Sequence, residues 1–155
     1  MRFILLLLLL MGGCSSTTYK LGTEWAPLEQ IVEGDLPFVS DTAVTTIGKN
    51  LYTVDLDELL KETPPGSVEF HALMLHEQEH SKRQIATGVT PWIFNYLIND
   101  EFKWEEEKAG WGLQIKYLKS VGRAKSPEHY ARVLSSSGYG NMVSYEEALA
   151  WAKSL

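Results

Sequence analysis

His76-Glu77-Gln78-Glu79-His80 places two imidazoles four residues apart, with a carboxylate directly after the first. On a helix, residues four apart project from one face, so both rings can reach a single ion. Glu77 stands about 100° further round the helix, where its carboxylate reaches a water on that ion rather than the ion itself. The chemistry implied is metal-assisted hydrolysis, and it demands a helix. In a strand or a loop the same five letters carry no such geometry.

The surrounding residues predict that helix. Pro64-Pro65-Gly66 breaks whatever precedes it, Ser67 is an N-cap residue, the helix runs to about Ala86, and Gly88 stands just past its end. Upstream, 43–47 and 51–54 are β-branched or aromatic stretches separated by Gly48-Lys49-Asn50, which predicts a strand, a tight turn and a strand. Asp55 to Lys61 reads as a short helical turn. Downstream, Thr90-Pro91 starts a helix through Ile98, and Asp100 caps a long one reaching Val121-Gly122. Ser126-Pro127 opens another to about Leu134, and Ser144 with Glu147 three residues on is a capping box for the last. Ser and Gly dominate 135–140, a loop. A little β structure followed by helices makes the fold class α+β: a small N-terminal hairpin or sheet, the helix of the motif, and three to four more helices.

On these residues the chain resembles the zincin metallopeptidases. No H-x-x-G-x-x-H follows His80, and the next histidine, His129, is 49 positions on, so the metzincin form does not fit. The resemblance is to the gluzincin form, which implies Zn²⁺ held by His76, His80 and an acid on a later helix, with Glu77 as catalytic base. Asp100, Glu101, Glu105, Glu106 and Glu107 are the candidates. Phe102, Glu106, Ala109, Leu113 and Tyr117 form one continuous helical stripe, and Glu106 is the acid inside it. Glu107 falls instead near Trp104, Trp111, Ile115 and Leu118, a second apolar face. A carboxylate within an apolar stripe is costly unless something pairs with it. Glu106 is therefore the expected third ligand and Glu105 the reserve. The family's glutamate is often followed by a small residue three later, as Ala109 follows Glu106.

The stricter family signature is uncharged between the histidines, and Glu79 departs from it while projecting away from the pair. His71 points to the far side and reads as structural, and Arg83 and Gln84 lie one turn beyond His80 as supports of the site. His129, Tyr130, Tyr139 and Tyr145 remain open as the group that would stabilise the reacting oxygen. The resemblance also places Asn50–Val54 at the edge where zincins pair with an extended substrate.

The rest of the chain limits where such chemistry would act. The chain has 155 residues, 45% hydrophobic and 22% charged, with a formal net charge of -6, an ordinary single-domain composition that argues against nucleic-acid binding. One cysteine forms no intramolecular disulfide and excludes a cysteine-based zinc site. That cysteine follows Arg2, an apolar run over 3–11, and Met11-Gly12-Gly13. Nine helical residues span about 14 Å, roughly half a bilayer's hydrocarbon core, so the run fits a secretory signal and not a spanning helix.

Met11-Gly12-Gly13-Cys14 resembles the lipobox of bacterial lipoproteins. The resemblance implies removal of 1–13, lipid on Cys14, and a cell-envelope location, in the outer membrane facing the periplasm if the cell is Gram-negative. The expected organisation is then a polar tether over 14–24 and one domain over 25–155. The function expected is a monomeric, lipid-anchored zinc peptidase acting on peptide or protein. The alternative is a non-catalytic protein of the same fold, acting as an anchored binding or adaptor module.

Overall fold

A computed structural model describes residues 17–34 and 44–155. Among the described residues the chain forms a four-stranded sheet near the N-terminus, followed by six α-helices. The strands are β1 (Thr18–Lys20), β2 (Gln30–Glu33), β3 (Thr45–Ile47) and β4 (Asn50–Thr53), in the order β1-β2-β4-β3. β1 and β2 are antiparallel, β2 and β4 parallel, and β3 and β4 antiparallel. Ile47 pairs with Asn50 across a two-residue turn, and Gly48 at φ +61° supplies the left-handed residue such a turn requires.

The helices are α1 (Leu56–Glu62), α2 (Val68–Thr87), α3 (Val89–Ile98), α4 (Asp100–Ser120), α5 (Pro127–Leu134) and α6 (Tyr145–Ser154). Ser67, Ser126 and Ser144 cap α2, α5 and α6 as their positions predict, each accepting from the backbone N–H three residues on. Glu147 does not fold back to complete a capping box. Its carboxylate accepts from Trp104 Nε1 and ties α6 to α4. The cap of α4 is Asn99 rather than Asp100, because Asn99 stays extended and its side chain accepts from the Phe102 N–H.

Two further expectations need correction. The stretch read as tether carries a strand, Thr18–Lys20, and a 3-10 turn, Thr23–Trp25. Three polar edge residues show no apolar periodicity, yet they pair with β2. The supposed edge strand β4 is interior, since β2 and β3 flank it, and β3 is the edge. Cys14, the apolar run and Ala43 lie outside the described residues. Among the described residues, no helix is long and apolar enough to cross a membrane.

One core fills the space between the sheet and the start of α2: Trp25, Leu28, Ile31, Leu51, Leu56, Phe70 and Met74. A second gathers Trp104 of α4 with Ala131, Leu134, Met142, Val143 and Ala148. The second half of α2 and the facing side of α4 lie between these cores. There the buried groups are polar.

Candidate metal centre

α2 and α4 pack along their lengths, and side-chain contacts fix their direction. His76 meets Gly110 and Gln114, His80 meets Glu107, and Arg83 meets Glu106. Numbers rise along α2 as they fall along α4, so the helices are antiparallel. Gly110 permits the close approach: a Cβ there would stand 2.8 Å from His76 Cδ2 and Nε2.

Among the described residues, His76, His80 and Glu107 form a buried group able to hold a metal ion. The two Nε2 atoms are 2.9 Å apart, and each stands 3.5 Å from an oxygen of Glu107. Four tetrahedral ligands at ~2.0–2.1 Å from zinc lie ~3.3 Å from one another. The three observed separations bracket that value. Glu107 Oε2 is buried and has no hydrogen-bond partner among the described residues, and a carboxylate oxygen in that state needs a cation. Two imidazoles and one carboxylate are a donor set that suits zinc, so the residues fit the ion.

The supports are equally specific. His76 Nδ1 is 3.0 Å from Gln114 Oε1, an acceptor, so Nδ1 carries the proton and Nε2 presents its lone pair to the centre. Trp111 packs edge-on against His76, and Trp92 against His80. The Tyr96 hydroxyl donates to Glu107 Oε1. Burial alone would depress the His80 pKa, but the adjoining Glu107 carboxylate, with Glu77 and Glu106 behind it, raises it. Burial alone would raise the Glu107 carboxyl, but the imidazoles of His76 and His80 beside it hold it well below the usual carboxylate range. Burial and the nearby Glu107 push both Tyr96 and Tyr139 well above 10.

Glu77 is buried beside this group without belonging to it. Its Oε2 accepts from the Thr46 hydroxyl at 2.8 Å, so edge strand β3 orients the carboxylate. Strand and helix are themselves joined: the Gln84 side chain accepts from the Gly48 N–H and donates to the Thr46 carbonyl, while Ser81 donates to the Gly48 carbonyl. The Gln84 amide thus takes the place of a neighbouring strand along 46–48.

The expected third ligand is displaced by one residue. Glu106 accepts from Arg83 Nε at 2.7 Å and Arg83 Nη2 at 2.8 Å, so its burial is balanced by a cation of the chain, and Glu107 reaches the histidines. Glu105 is exposed and pairs with Lys108. The small residue three positions on is Gly110 after Glu107, a spacing equally visible in the sequence. Glu79 turns away toward Arg83, as read from helical position, whereas His71 does not point to the far side: it stacks on Tyr117 of α4, the helix that His76 also meets, and packs edge-on against Trp25. Of the four open candidates, Tyr139 is the one whose pKa the charges of Glu107 and Glu77 help to raise, and its hydroxyl accepts from Trp111 Nε1. Tyr130 is instead engaged with the Lys125 N–H. Tyr96, Thr46 and Gln114 were not anticipated, since only the packing of α3, β3 and α4 against α2 brings them in.

Comparison of the chain with protein families, with curated proteins and with solved structures returns no match.

Proposed function

We propose that this chain is a zinc-dependent peptide-bond hydrolase of the zincin type, held to the cell envelope by lipid on Cys14. The observation that carries the reading is the convergence of His76 Nε2, His80 Nε2 and the Glu107 carboxylate, with Glu77 alongside but outside the group. A zinc ion bound by these three residues would supply Lewis acidity and lower the pKa of water. Glu77, oriented by Thr46, takes the proton of the attacking water and returns it to the departing amide nitrogen. Gln114 holds His76 in the tautomer that leaves Nε2 free. Tyr139, whose hydroxyl already accepts from Trp111, keeps its own proton to donate to the developing oxyanion. The peptide bond as substrate rests on the likeness of the motif to zincins, and the anchor on Met11-Gly12-Gly13-Cys14 after an apolar run.

Glu77→Gln tests the reading by separating its two parts. The variant should bind zinc as the parent does and lose hydrolysis of a mixed peptide library. Full hydrolysis by the variant would remove Glu77 from the mechanism.

One observation favours a second reading, an anchored binding or adaptor protein whose metal is structural. His76, Glu77, His80 and Glu107 are each 5% exposed or less, beneath Trp92 and Tyr96. Structural zinc sites are closed by four protein ligands, and three converge here. A cobalt(II)-substituted protein whose spectrum responds to a small thiolate or hydroxamate would favour the hydrolase, and an indifferent one the adaptor.

A further inference from the structure

Glu106 and Glu107 are adjacent on α4, both 3% exposed, and aimed at different partners. On α2, His76, His80 and Arg83 are spaced four and three apart and therefore share a face. Arg83 grips both oxygens of Glu106, and its Nη1 lies 4.0 Å from Glu79 Oε1. The contact is a planar two-point fork, which fixes distance and direction together in a way a lysine would not. Since Glu107 follows Glu106 immediately, the fork also sets where the Glu107 carboxylate falls relative to the histidines. Gln114 on His76 pins the other end of the same face.

We infer that Arg83 is a positioning residue for the metal centre, its ion pair with Glu106 holding α4 in the register that presents Glu107 to His76 and His80. The inference rests on the reading that this group holds a metal. Removing Arg83 does two things at once. It frees the register, and it leaves Glu106 as an uncompensated buried carboxylate directly beside Glu107. Both weaken the presentation of Glu107, although Arg83 touches no metal ligand.

The test compares zinc affinity, by competition with a chelator, in the full-length protein and in Arg83→Met, Arg83→Lys and Glu106→Gln. Imidazole proton shifts of His76 and His80 in the metal-free proteins at one fixed pH are recorded alongside. Arg83→Met, which keeps an apolar stem, should lose about 10- to 100-fold in zinc affinity and displace both imidazole signals. Arg83→Lys should recover part of the loss, and Glu106→Gln, which retains a hydrogen-bonding partner, should lose less than Arg83→Met. Zinc affinity and imidazole shifts unchanged in a folded Arg83→Met would overturn the inference, whatever happens to its melting temperature. Should Arg83→Met fail to fold, Glu106→Gln decides: unchanged affinity and unchanged shifts overturn the inference, and a loss with displaced shifts supports it. If the parent binds no zinc, the metal reading fails by itself, and the metal-free imidazole shifts still decide whether Arg83 sets the register.

Discussion

α2 buries two successive stretches, one up to Met74 and one from His76 to Gln84, and fills them with opposite chemistry. The first, apolar part buries Phe70 and Met74 in the sheet core, and the polar part that follows buries His76, Glu77, His80, Ser81 and Gln84 between α4 and β3. The apolar part needs only shape and area. The polar part needs a named partner for each group, because a buried polar atom without one costs more than the contact returns. Gln114, Thr46, Gly48 and Glu107 supply those partners, and Glu107 Oε2, left over, belongs to the proposed centre; His80 Nδ1, across the ring from the Nε2 that faces the centre, has no partner among the described residues. One helix thus carries stability at one end and chemistry at the other.

That division breaks if either part answers for the other. Met74→Ala empties a fully buried position in the apolar part and should cost about 2–5 kcal/mol of folding free energy, read from denaturant unfolding. Zinc affinity of the folded variant should stay at the parent value. Gly110→Ala works from the other side. Its Cβ would collide with the His76 ring, so despite the better helix propensity of alanine it should cost about 1–3 kcal/mol and weaken zinc binding.

Acidity sharpens the comparison, since His80, whose pKa is shifted, lies in the polar part. The His80 pKa is raised above its ordinary 6.5, so protons should begin displacing zinc as pH falls through that raised value. Each proton bound in competition costs up to about tenfold in affinity per pH unit. In the metal-free chain the signs run the other way for histidine. The contribution of His80 to stability is complete below 6.5 and is lost as pH rises through its raised pKa, while that of Glu107 is present above 4.5 and is lost as pH falls through its lowered one. Unfolding of the metal-free protein across pH should therefore show this site's stabilisation greatest between 4.5 and 6.5. The smallest effect expected is at Gly112, two residues from Gly110, where a Cβ meets nothing within 4 Å. Gly112→Ala should stabilise by about 0.5–1 kcal/mol with zinc affinity unchanged.

Local signals made the helices legible. Ser67, Ser126, Pro127 and Gly88 act within one turn of themselves, and the elements they bound lie where they predict. β1 and β2 escaped because three- and four-residue strands hold too few alternations to show a period, and their pairing joins segments far apart in the chain. The motif was legible for the same reason as the helices: two histidines four apart on one helix need no tertiary information. The third ligand does need it. The argument that a buried acid requires a partner was sound for Glu106, but α4 is apolar on two faces, and the partner proved to be Arg83. Trp104 and Ile115, on the face of Glu107, are buried, while Leu113 on the face of Glu106 is largely exposed. The faces could be ranked only once α2 was set against α4.

The centre itself is tested most directly by counting zinc per chain, with its affinity, in the parent protein and in Glu107→Gln and Glu106→Gln. The geometry predicts one zinc in the parent, none retained by Glu107→Gln through gel filtration, and one in Glu106→Gln held more weakly. Stoichiometric zinc in Glu107→Gln, or none in a folded parent at saturating zinc, would contradict it.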